Sequence, residues 1–224
     1  KVIHYGSLSG VDLKRYTPKK IFLKNNTYSG ETRNLIKLKK FTKSVNLNKD
    51  SIVFGFVGRI NLDKGINLLI EAFQKHNNKF NNNKLVILGP LEINKEYFEK
   101  LINNNENILH LNFTDKPEQF YPEFDILLLP SLREGFGSVI IEAAACKVPT
   151  ISTKIPGPID FIKHKENGYF IKKNSVNSIL RSLNYFALNK SLITTMGESA
   201  YNLVLKKYDM KIISNKFLKE FGIY

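Results

Sequence analysis

A chain of 224 residues that is 42% apolar and 24% charged has the makeup of a soluble globular protein with a sizeable core. No apolar run approaches the ~18 residues that span a bilayer, and a single cysteine, Cys146, rules out an internal disulfide and suits a reducing compartment. The net charge of +14 favours anionic partners, but its cations are scattered and lack the aromatic interleaving of an RNA-binding surface, so nucleic acid is not expected.

In chain order, the opening "KVIHYGSLSG" has no apolar core and does not read as an export signal. The chain starts on Lys1 rather than Met and is expected to be a piece of something longer. Residues 1–18 are rich in Gly, Ser and Pro and read as a linker. "NLIKLKKF" (Asn34–Phe41) reads as a basic surface helix. "IVFGFVG" (Ile52–Gly58) is a β-branched and aromatic strand ending on glycine. "INLLIEAFQKH" (Ile66–His76) carries its apolar residues on one helix face. Then come strand Lys84–Pro90, helix Glu96–Ile102, strand Asn107–Phe113, the all-apolar strand Asp125–Ser131, helix Ser138–Cys146 and strand Val148–Thr153. A sixth strand fits "GYFI" (Gly168–Ile171), and helices fit Ser175–Leu188, Leu192–Lys207 and Met210–Phe221. Asparagine tracts such as "NNNK" fall between elements and read as loops. Apolar strands each followed by a helix predict a doubly wound, Rossmann-like parallel sheet buried on both faces.

In such sheets ligands bind beyond the carboxyl ends of the strands. After the first strand, "GRINLDKG" places Gly58 at a sharp turn and Arg59 and Lys64 beside a helix start. That arrangement suits a diphosphate clamp, or else a plain strand-to-helix turn with two solvated cations. After "DILLLP", the stretch "SLREGFGSVIIEAA" sets Gly135 and Gly137 around Phe136, with Ser138 a fair N-cap for the next helix. "GFGSVI" lacks the third glycine of a dinucleotide fingerprint and no acidic ribose partner follows it, which disfavours a nicotinamide site. No P-loop is present. The four histidines and Cys146 share no ligand-like spacing, so no metal is expected. Glu134 and Glu142 could not grip one small group from an unbroken helix, lying roughly 12 Å apart along its axis. With Glu134 in a loop and Glu142 inside the helix, each can serve hydroxyls at opposite ends of a long ligand. The alternative for Glu142 is an ordinary surface glutamate.

These motifs, in this order, closely resemble the donor-binding half of family 4 (group 1) glycosyltransferases. The resemblance is carried by "GRINLDKG", "LVILG", "LLLPSLREGFGSVIIEAAACKVPTIST" and "GPIDFIKHKENGYFI", with Glu134 and Glu142 as the E-x7-E pair, and it extends to bacterial capsule, O-antigen and lipid-linked glycan enzymes. It implies the C-terminal half of a GT-B enzyme. The linker would be residues 1–18 and the nucleotide-sugar-binding domain residues 19–224, with 206–224 crossing back to an N-terminal half upstream of Lys1. It further implies that Arg59 and Lys64 hold the donor diphosphate, Glu134 contacts the donor sugar and Glu142 binds ribose. The N–H groups of Phe136, Gly137, Ser138 and Val139, next to Gly135 and with Gly58 across the cleft, would serve sugar and phosphate. The implied reaction retains anomeric configuration, uses a nucleoside diphosphate sugar with UDP the expected nucleotide, needs no metal or other cofactor, and delivers to a glycan or lipid-linked acceptor. Base contacts are expected near Gly89 and Phe113. The implied location is cytoplasmic, against the anionic inner face of the plasma membrane. A non-catalytic nucleotide-binding or interaction module with a basic surface is the alternative.

Overall fold

A computed structural model describes residues 10–18, 32–46 and 51–222. Its centre is a six-stranded, wholly parallel sheet: β1 (Val53–Val57), β2 (Lys84–Leu88), β3 (Ile108–Leu111), β4 (Ile126–Leu129), β5 (Thr150–Thr153) and β6 (Gly168–Ile171), in the spatial order β3-β2-β1-β4-β5-β6. The expected doubly wound class is therefore the observed one, sixth strand included.

Alternation along each strand feeds both faces. Phe54 and Phe56 of β1, Leu85 and Ile87 of β2 and Ile126 and Leu128 of β4 pack on one side. There they meet α2 (Ile66–Asn77), α3 (Lys95–Ile102) and α6 (Val176–Leu188) through Leu69, Ile70, Phe73, Phe98, Leu183 and Phe186. On the other side Val53, Val86, Leu88 and Leu127 meet Leu38 of α1 (Thr32–Asn46), the turn residues Phe120 and Tyr121, and Ala143 of α4 (Ser138–Ala145). A third cluster joins α4 to the short α5 (Pro158–Phe161) and to α7 (Ser191–Lys207) through Ile141, Phe161 and Val204. The chain ends with α8 (Met210–Glu220), which buries only Ile213.

Two expectations change. The basic helix is longer than Asn34–Phe41, and it is not simply a surface helix, because Leu35 and Leu38 are buried. The described part of the linker, residues 10–18, docks on the domain. The Val11 N–H donates to the Tyr208 carbonyl (2.8 Å), the Met210 N–H donates to the Val11 carbonyl (3.0 Å), and Arg15 pairs with Glu118 at 3.0 Å. Residues 1–9, 19–31, 47–50 and 223–224 lie outside the described residues, so part of the predicted linker and of the domain's start is not placed.

Asn83, from the "NNNK" tract, is a buried structural residue. Its carbonyl accepts from the Ile52 N–H (2.8 Å), its amide lies 2.8 Å from His76 Nε2, and His76 Nδ1 meets Asn184 Oδ1 at 2.6 Å. That chain of bonds suits a neutral imidazole, and burial lowers the His76 pKa. An unfolded histidine titrates near ~6.5. Below that pH the unfolded chain takes up a proton that the folded chain refuses, so stability is present above it and lost as pH falls. His110 and His164 are shifted the same way, and Glu142, whose pKa is raised, acts with the opposite sign. Comparing wild type with His76→Leu cancels those contributions. The wild-type melting temperature should fall more steeply between about pH 7.5 and 5.5 than that of the variant, and equal slopes would refute the assignment.

Candidate functional site

The order of the strands reverses between β1 and β4, and in open α/β sheets the position beyond the carboxyl ends of such strands is where ligands bind. The β1 exit runs through Gly58 and Arg59 into a one-turn 3-10 helix, Leu62–Lys64, whose N-cap Asn61 accepts the Lys64 N–H at 3.0 Å. Gly65 then takes a left-handed φ of 71° and starts α2, and no side-chain cap serves the first-turn N–H groups.

The β4 exit runs alongside. The Leu132 N–H donates to the Asp63 carbonyl (2.7 Å), and Arg133 pairs with Asp63 at 2.6 Å. The central contact is Lys64 Nζ to Glu134 Oε1 at 2.6 Å, and the Ser131 hydroxyl donates to the same oxygen at 2.8 Å. The Lys64 and Glu134 side chains are only 20% and 8% exposed, so this is a largely buried pair. Of Lys64's three donors, one is used on Glu134.

Beyond Glu134 the chain turns through Gly135, Phe136 and Gly137. The last of these has φ 79° and is the true N-cap of α4. Ser138 is therefore the first helical residue rather than the cap, because a left-handed residue is needed at the turn and glycine adopts that conformation without a Cβ clash. No side chain caps α4 either, so the β1 and β4 exits both lead into helix N-termini without a side-chain cap, each favourable to anions. Phe136 is fixed by stacking on Tyr208, with ring centroids 5.7 Å apart. Val139 packs inward against the second and third core clusters.

Glu142 lies one turn into α4 and is not a free surface glutamate. The Tyr121 hydroxyl donates to its Oε2 at 2.6 Å. Burial raises the Glu142 pKa and nearby Glu118 adds to the rise, while the Tyr121 and Tyr16 hydroxyls and the Arg15 guanidinium oppose it. Arg59 is brought to the same loop as Lys64 but points elsewhere. Its side chain is 64% exposed and meets Glu92 at 3.3 Å, where Asn61 also donates at 2.8 Å. Phe113 stands 68% exposed beyond the end of β3, and His110 Nε2 lies 3.2 Å from the Gly89 carbonyl.

The structure thus joins Lys64 to Glu134 and sets Glu142 in a separate polar cluster. Sequence reasoning passed over Ser131, Asp63, Glu92, Tyr121 and Tyr16. Ser131 and Asp63 stood in motifs already quoted, and Tyr16, Glu92 and Tyr121 come from other segments that fold onto the site. Among the described residues no group of three or more His, Cys, Asp or Glu could hold a metal ion.

The sequence profile described as "Glycosyl transferases group 1" matches residues 38–203. The capsular polysaccharide biosynthesis glycosyltransferase CapM of Staphylococcus aureus is 31% identical over 229 residues, spanning 98% of this chain and 56% of that protein. The chain therefore covers little more than half the length of that relative. Among solved structures, Anabaena HepE in complex with UDP and glucose superposes with a TM-score of 0.76 at 18% identity, over 96% of this chain and 56% of that one. The C-terminal domain of LpcC, a glycosyl transferase group 1 family protein of Francisella tularensis, gives a TM-score of 0.70 at 24% identity, over 89% of this chain and 99% of that domain. At these identities both superpositions speak to the fold.

Proposed function

Since the chain belongs to the group 1 glycosyl transferases, we propose that it forms the donor-binding half of a retaining glycosyltransferase. That enzyme moves a hexose or N-acetylhexosamine from a UDP-sugar to a glycan or lipid-linked acceptor. The observation that carries this reading is the buried Lys64–Glu134 pair between two uncapped helix N-termini at the strand-order switch. Lys64 has two donors left for a diphosphate, and Arg59 can reach it by exchanging Glu92 for the ligand. Together they supply the positive charge that a leaving diphosphate needs, and the reading calls for no metal. The N–H groups at Phe136, Gly137, Ser138 and Val139 face the sugar and phosphates. Glu134 keeps an oxygen for a sugar hydroxyl, and Glu142 takes the ribose.

The exposed Met210, Phe217 and Phe221 of the last helix region, the two phenylalanine rings 4.5 Å apart, suit contact with an acceptor-binding half. The neighbouring Lys211 and Lys219 suit an anionic cytoplasmic membrane surface. No helix among the described residues is long and apolar enough to cross a membrane.

Calorimetric titration of the chain with UDP, GDP and ADP tests the reading. UDP should bind, and Glu142→Ala should weaken it about tenfold, the loss of a hydrogen bond to a charged group. Absence of binding by all three nucleotides would sink the proposal.

A further inference from the structure

Glu142 has a support that the sugar-donor reading does not use. Tyr121 is fully buried, on the turn Tyr121–Glu123 that leads into β4, with Phe124 and Tyr16 packed around its ring at centroid distances of 6.2 and 5.9 Å. Its hydroxyl meets Glu142 Oε2 at 2.6 Å. Burial and the adjacent carboxylate push the Tyr121 phenol well above its usual range, so it stays protonated and acts as the donor. Tyr16 approaches the same carboxylate from the docked segment 10–18, and its neighbour Arg15 is anchored on Glu118. An isolated carboxylate here would face the cost of desolvation, and the Tyr121 phenol answers it with a charge-assisted hydrogen bond, with Tyr16 packed beside that ring.

We propose that Tyr121 and Tyr16 are positioning residues for Glu142, holding its carboxylate aimed at the ribose diol. The proposal rests on the reading of Glu142 as the ribose-binding group. A carboxylate offers about four acceptor sites, so two phenols leave room for both ribose hydroxyls. On this proposal the phenols act through Glu142 rather than on the ligand, so their effect falls on the geometry of that carboxylate. One of them comes from the segment ahead of the sheet, so the nucleoside site is assembled partly from chain outside the strand–helix repeats.

The test compares UDP with 2′,3′-dideoxy-UDP, which lacks the diol, by calorimetry at neutral pH, with a melting curve for every variant. Wild type should prefer UDP about tenfold, and Glu142→Gln should abolish the preference. Tyr121→Phe should cut the preference severalfold while leaving dideoxy-UDP affinity unchanged, a split that general loosening of the fold would not give. Tyr16→Phe should act in the same direction, and it carries the test if Tyr121→Phe does not fold. An undiminished preference in the folded tyrosine variants, with Glu142→Gln still flattening it, would overturn the proposal and leave the Glu142 reading standing. A wild-type preference near one would overturn both, and no UDP binding at all would remove the donor site itself.

Discussion

Lys64→Ala is expected to lower affinity for UDP by about 10- to 100-fold, the range of one hydrogen bond to a charged group. The same substitution should also reduce stability. It strands the Glu134 carboxylate, 8% exposed, with only the Ser131 hydroxyl beside it. Removing one member of a fully buried pair costs ~3–5 kcal/mol. Lys64 retains some solvent contact, so about 2–3 kcal/mol is the expected loss here. Adding Glu134→Gln removes the stranded charge and should recover most of the melting temperature, while UDP affinity stays low. Calorimetry and thermal melting on the single and double variants separate the two effects. If Lys64→Ala keeps wild-type affinity, the lysine is a structural partner of Glu134 and nothing more.

Gly65→Ala is expected to destabilise the domain by about 2–4 kcal/mol, combining a left-handed backbone with a steric clash. Gly65 sits at φ 71°, and a Cβ there would drive into the Pro130 carbonyl. That carbonyl has little freedom to retreat, because two residues on the Leu132 N–H is bonded to Asp63 at 2.7 Å. Relief would have to come from parting the β1 and β4 exits, which would pull Lys64 from Glu134. Gly222 is the control, with φ 66° and nothing within 4 Å of its would-be Cβ. Gly222→Ala should cost only the backbone part, about 1 kcal/mol. Denaturant midpoints that fall equally for the two variants would show that the Pro130 contact is unimportant.

The sheet was legible because its central strands carry runs of consecutive apolar residues, a pattern that burial on both faces explains. "ILLL" in β4 and "KLVIL" in β2 are examples. The burial of α1 was harder to see. Leu35 and Leu38 are embedded among lysines at 37, 39 and 40, and charge density masked a narrow apolar stripe. At the site, residue types and spacing along "REGFGSVIIEAAA" were legible, but contacts across 70 residues, Lys64 to Glu134 and Arg133 to Asp63, leave no local trace. The N-cap went to Gly137 rather than Ser138 because backbone handedness outranked side-chain capping preference. Asn83 read as loop filler because composition cannot tell a solvated amide from one that bridges Ile52 and His76.

The pairing of Val11 with Tyr208 and Met210 has a mechanical side. Two strands of chain distant in sequence are laced together at one joint, so a twist applied to either is shared by both. From that joint one arm runs through Tyr208 to the ring of Phe136, and the other through Tyr16 to the ring of Tyr121, whose hydroxyl holds Glu142. Torque delivered there reaches the turn before α4 and the Tyr121–Glu142 pair together, as a double-stranded lever would carry it.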